Sequence, residues 1–164
     1  MYKRQEGGPV LPAESTTDRL GSWTEFADSE TRRFAGTARY TLSFRLPEVQ
    51  ADDWLLQLGD VRESARVRVN GTDVGVLWSL PFQARVGRFL EPGWNTLQVE
   101  VTNLAANRIR DLDRRGVPWK RFYDINFVNI HYQPFDASGW KVTPSGLLGP
   151  VQLVPLKRIW PGEK

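Results

Sequence analysis

Arg66-Val67-Arg68-Val69-Asn70-Gly71-Thr72-Asp73-Val74-Gly75 is followed by Leu80-Pro81-Phe82-Gln83-Ala84-Arg85-Val86 and then by Leu90-Glu91-Pro92-Gly93-Trp94-Asn95-Thr96-Leu97-Gln98-Val99-Glu100-Val101. Valine alternates with arginine up to Asn70-Gly71, a pair that tolerates positive φ and lets the chain reverse. Phe82, Ala84 and Val86 alternate with Gln83 and Arg85. Beyond the Pro92-Gly93 turn, Leu97, Val99 and Val101 alternate with Gln98, Glu100 and Thr102. A period of two places one face of each segment in a core. The order is strand, turn, strand, short link, strand, turn, strand, which is how an antiparallel β-sandwich is written.

The same pattern extends outward. In residues 39–46, Tyr40, Leu42, Phe44 and Leu46 share one face and Thr41, Ser43 and Arg45 the other, and Pro47 ends the strand. Trp54-Leu55-Leu56-Gln57-Leu58 is a denser apolar run that suits a strand covered on both sides. Leu20-Gly21-Ser22-Trp23-Thr24-Glu25-Phe26 reads as a first strand, and Val151 and Leu153 mark a last one. Some seven to nine short strands separated by turn signals predict an all-β fold, an antiparallel jelly-roll β-sandwich. One long insertion, residues 103–149, interrupts it. In residues 105–115, Ile109 and Leu112 are three apart and Gly116 follows, the pattern of a short helix with a glycine stop. Connections of this length are often functional.

Composition narrows the function. The 164 residues suffice for one domain with a core, and 40% hydrophobic with 25% charged residues is usual for a globular domain. No apolar run approaches the ~20 residues that span a bilayer, so no membrane partner is expected. The net charge of +3 is dispersed. Arg32-Arg33, Arg114-Arg115 and Lys120-Arg121 are pairs, shorter than the basic runs of nucleic-acid patches, so no nucleic-acid partner is expected either. The absence of cysteine removes disulfides, thiolate catalysis and Cys-based zinc sites without fixing a compartment. Seven tryptophans suit either a sandwich core or surfaces that meet sugars.

Five pieces in order resemble the sugar-binding domain of family 2 glycoside hydrolases. They are Tyr40-Thr41-Leu42-Ser43-Phe44, Val69-Asn70-Gly71 with Val74-Gly75, Pro81-Phe82, the segment from Leu90 to Val101, and Ser145-Gly146-Leu147-Leu148 through Val151-Gln152-Leu153. Val101-Thr102-Asn103-Leu104 with Asn107-Arg108, and the run from Pro144 to Pro150, also resemble the C-terminal sandwich domain of family 106 rhamnosidases. The likeness covers residues 38–156. It implies a galactose-binding-domain-like sandwich that is not itself catalytic and is joined to a glycosidase catalytic domain of the same polypeptide. A glycan or oligosaccharide is the implied ligand, and no cofactor is implied. Polysaccharide-degrading relatives are usually exported, so a periplasmic or extracellular bacterial protein is expected. The loop after the Val99-Glu100-Val101 strand, residues 103–113, would border the neighbouring active site.

The residues set candidates for chemistry. Trp78, Trp119, Tyr123, Tyr132 and Trp140 offer planar apolar faces to a pyranose, and Asn103, Asn107, Arg108, Asp124 and Asn129 offer groups for its hydroxyls. The alternative is that the aromatics pin the long segment onto the sandwich. Glycoside hydrolysis usually needs two carboxylates ~5–9.5 Å apart. Asp111 and Asp113, two apart, would not share a helix face. Asp124 sits among aromatics, where it is perturbed, or caps a turn, or pairs with Arg121. His131 is the only histidine and no G-x-S-x-G accompanies it, so neither a triad nor a zinc site is indicated. No catalytic residue, metal or cofactor is assigned.

Residues 20–156 read as the sandwich, 6–19 as an entry segment and 157–164 as a tail. Met1-Tyr2-Lys3-Arg4-Gln5 is what GTG-TAT-AAG-AGA-CAG encodes when GTG initiates, a string resembling the end sequence of a transposon used in sequencing libraries. Residues 1–5 therefore read as translated adapter, the alternative being a natural basic N-terminus. Three functional readings remain open: an accessory sandwich of a truncated glycoside hydrolase, an autonomous carbohydrate-binding module, and a small hydrolase using Asp124.

Overall fold

The computed structural model describes residues 5–6, 11–121 and 128–159. Two antiparallel sheets face each other. The larger runs β1 (Gln5–Glu6), β2 (Thr37–Arg45), β8 (Trp94–Thr102), β5 (Ser64–Val69), β6 (Thr72–Leu77) in spatial order. The smaller runs β10 (Gln152–Leu156), β3 (Asp53–Gln57), β7 (Gln83–Arg85), and a short pair joins β4 (Asp60–Arg62) to β9 (Gly146–Gly149). The result is an unclosed, jelly-roll-like all-β sandwich carrying a helical insertion.

The predicted alternation holds in β5 and β8 and at Tyr40 of β2, whereas Leu42, on the predicted inward face of β2, is exposed. Along all nine pairs from Thr37↔Thr102 to Arg45↔Trp94, β2 and β8 stay in register. Val67, Val69, Val99 and Val101 are each at most 2% exposed, and burying a side chain of that size contributes about 1.5–3 kcal/mol. Asn70 and Gly71 take φ of 50° and 79° and return the chain from β5 to β6. The motif asparagines have a second task. Asn70 Nδ2 donates to Asn95 Oδ1 at 2.8 Å and to Phe89 O at 2.9 Å, while its Oδ1 accepts from Thr96 N at 2.8 Å. Asn95, 2% exposed, also accepts from Glu91 N and donates to the carbonyls of Glu91 and Gly93. The two turns of the opening motif are thus tied to each other.

Three expectations change. The strand over 20–26 does not form. Ser22 Oγ accepts from Thr24 N at 3.3 Å and starts a 3-10 turn, Trp23–Glu25, and it also accepts from Ser145 N at 2.9 Å. Trp23 N donates to Ser145 O at 3.0 Å, so its ring enters the core, 1% exposed and edge-on to Phe34 at 5.7 Å. A polar cap and one large side chain override a weak alternation there. The run from Trp54 to Leu58 is not covered on both sides: Trp54, Leu56 and Leu58 are buried, Leu55 and Gln57 half-buried. Residues 103–149 carry the expected helix, α2 (Ala106–Arg114; the short α1 spans Ser29–Arg32), but they also end in a strand, β9. Gly59 and Gly149 let that last strand cross closely, since a Cβ on Gly59 would lie 2.4 Å from the Gly149 carbonyl carbon.

Candidate functional site

The insertion gathers at one end of the larger sheet. Leu77 pairs with Ala65, and Ser64 pairs with Thr102, so Trp78 leaves β6 at the end where Asn103 leaves β8. The helix forms as expected. Gly116, φ 63°, donates its N–H to Asp113 O and Val117 N donates to Leu112 O, the double bond of a glycine-terminated helix.

Two clusters hold this end together. In the first, Asn103 accepts from Gly36 N (3.0 Å) and donates to Phe34 O (3.0 Å) and Ser145 Oγ (3.1 Å). Asn107, 5% exposed, donates to Thr143 O (2.7 Å) and accepts from Thr143 N (2.9 Å). These two of the three amides predicted for sugar hydroxyls are therefore engaged inside the fold, tying α2 to the strand that starts at Gly146. In the second, the Asp113 side chain is 7% exposed. Its carboxylate accepts from Trp119 Nε1 at 2.7 Å, Ala137 N at 2.8 Å and Lys120 Nζ at 3.1 Å. Burial works to raise its pKa, but the bonds from Ala137, Trp119 and Lys120 outweigh that and hold it below the usual carboxylate value. Phe135 stands edge-on between Trp119 at 6.2 Å and Trp140 at 5.6 Å, and Lys120 Nζ donates to Phe135 O at 2.6 Å.

A shallow cleft of about 250 Å³ opens here, with Trp119, Asp113, Lys120 and Asp136 on its walls. An aromatic wall beside polar and charged edges is the chemistry a sugar presents in reverse. The structure brings Trp119 and Trp140 together through Phe135, and Asn103 and Asn107 together through Ser145. Arg108 is half-buried on α2. Asn129 lies apart in a tight turn, its Oδ1 accepting from His131 N and Gln133 N. That turn presents Tyr132, φ 58° and 75% exposed. Trp78 is 77% exposed. Tyr123 and Asp124 lie outside the described residues. Lys120 is the group missed in sequence, since nothing local links it to Phe135, fifteen residues on.

The carboxylates have structural partners. Asp111 meets Arg115 at 2.7 Å and Arg33 at 3.5 Å, and Asp136 accepts from Ser138 N and Oγ. Among the described residues, no group of three or more His, Cys, Asp or Glu is placed to hold a metal ion.

No family model matches the chain. It is 33% identical over 156 residues to a putative β-glucuronidase of Formosa agariphila, an alignment covering 83% of this chain and 13% of that protein. The structure of a rhamnosidase from Novosphingobium sp. PP1Y superposes with a TM-score of 0.69 at 30% identity, over 87% of this chain and 13% of that one. A β-glucuronidase of an uncultured Clostridium sp. gives 0.51 at 26% identity, over 58% and 17%. The chain is a small all-β sandwich domain that resembles a fragment of larger glycoside hydrolases. It spans about one-eighth of the length of the first two relatives.

Proposed function

We propose that this chain is a non-catalytic accessory β-sandwich of a larger glycoside hydrolase, of the rhamnosidase or family 2 type, that packs on the catalytic domain with its α2 end beside the glycan cleft. One observation carries the proposal: 87% of the chain corresponds to 13% of a rhamnosidase. Asp111, Asp113 and Asp136 being engaged in caps and ion pairs fits a scaffold rather than an acid–base pair. Trp78 and Leu80, 77% and 79% exposed on one short loop, suit an apolar anchor against a neighbouring domain. Trp119 and Lys120 supply the sugar-facing wall.

The purified chain should hydrolyse no aryl-glycoside and retain no glycan on an array, and the gene extended upstream should encode a catalytic region in frame. Exposed Trp78 and Trp140 favour a second reading, an autonomous carbohydrate-binding module. Array binding that disappears in Trp78→Ala or Trp140→Ala would establish it. Hydrolysis lost in Asp124→Asn would make the chain an enzyme in its own right.

A further inference from the structure

The outer face of the larger sheet carries another cleft, of about 270 Å³, walled by Arg39, Arg66 and Glu100, by Val76, and by the hydroxyl side chains of Thr37, Ser64 and Thr102. Strand register builds it. Glu100 of β8 pairs with Arg39 of β2 on one side and with Arg66 of β5 on the other, so the two arginines start two strand spacings, about 10 Å, apart. Thr102, next along on the same face, pairs with Thr37 and Ser64. The hydroxyls of Thr37 and Thr102 meet at 2.7 Å.

The charges here do not cancel. Glu100 Oε1 accepts from Arg39 Nε at 2.9 Å and from Arg68 Nη1 at 3.1 Å. Burial works to raise its pKa, but the two arginines outweigh that and hold it below the usual carboxylate value. Arg66 donates through Nε and Nη2 to Asp73 Oδ2, at 3.1 and 2.8 Å. Three guanidinium groups thus meet two carboxylates, and one positive charge is left over. Among the described residues, Nη1 of Arg39 and Nη1 of Arg66 carry no hydrogen bond. Arginine forks beside hydroxyls suit a carboxylate carried on a polyol. A guanidinium matches the planar carboxylate, and serine and threonine both donate to and accept from sugar hydroxyls. A nucleic acid, charged at every nucleotide, would need a row of unpaired cations instead.

We propose that this cleft is a second saccharide site, separate from the cleft at Trp119, and that it takes a sugar bearing a carboxylate. A site this open holds one sugar ring weakly, with a dissociation constant of about 1–10 mM, and a washed array retains nothing at that affinity. Linked to another glycan site, it strengthens the hold on a chain that reaches both. The cleft exists whether or not a catalytic domain adjoins it, so its test and the test of the accessory role fail independently.

Titration of the full chain with galacturonate, followed by amide chemical shifts at constant ionic strength, tests this. Galactose and acetate are the comparisons, the first lacking the carboxylate and the second the ring. Galacturonate should move the amides of Ser64, Arg66 and Thr102 with a midpoint of about 1–10 mM, at least tenfold below that of either comparison. Arg66→Gln should weaken binding about fivefold, and Asp73→Asn, which leaves Arg66 unneutralised, should tighten it about threefold. Both positions are exposed, and an exposed ion pair contributes little to folding. Acetate matching galacturonate would leave an adventitious anion only, and galactose matching it would remove the carboxylate from recognition; either result overturns the proposal. So would weaker binding in Asp73→Asn, no shift at all, or shifts confined to residues 116–121, which would put the sugar at Trp119.

Discussion

At the scale of single residues, Asn95 shows how a turn signature becomes a tertiary link. Its amide serves Glu91 on both sides of a tight turn and meets Asn70 from another hairpin. Removing it strips partners from several groups in a site that is 2% exposed, and each buried unsatisfied group costs about 1–3 kcal/mol. Asn95→Ala should therefore lose about 3 kcal/mol in urea unfolding with an unchanged m-value. A loss under 1 kcal/mol would mean that water replaces the amide. The Asn-Gly turn was legible because its requirement, positive φ at two successive residues, is local. The Asn70–Asn95 bond was not, because nothing within either segment names a partner twenty-five residues away.

At the scale of elements, the insertion holds its place by polar ties more than by apolar packing. α2 buries only Asn107, and Asp113 collects three donors from residues six to twenty-four positions later. Asp113→Ala should open residues 116–121 and 135–140 to limited proteolysis at least tenfold faster, while the strands keep their protection in hydrogen exchange. Uniform loss of protection would show that the insertion and the sandwich unfold as one unit. The helix was readable from Ile109, Leu112 and the stop at Gly116. Its docking was not, because Asn103 and Asn107 read equally well as solvent-facing groups until Ser145 is brought between them.

At the scale of the whole molecule, Tyr40 joins the sheets. It is 5% exposed, and its hydroxyl oxygen accepts from Leu147 N at 3.1 Å, linking β2 to β9. Burial pushes its pKa up to about 12, against a smaller opposing effect of the Leu147 bond. The folded protein thus holds the phenolic proton more tightly than the unfolded chain does. The stability this contributes is complete below about pH 10 and is lost as pH rises towards 12. Tyr40→Phe should flatten the fall in melting temperature across that window. An unaltered slope would place the alkaline transition elsewhere.

The sequence by itself determined the strands, their inward faces and the two turns of the opening motif, because period-two alternation and positive φ are properties of neighbouring residues. It also carried the likeness to glycoside hydrolase sandwiches, through five short pieces in order. Only the tertiary structure decided that Ser22 and Trp23 plug the core instead of forming a strand, that Asn103 and Asn107 face inward, that Asp113 organises the aromatic cluster, and that Leu42 stands exposed. Each of these depends on which distant backbone donor or apolar wall arrives opposite a side chain, and that is settled by the packing of the two sheets.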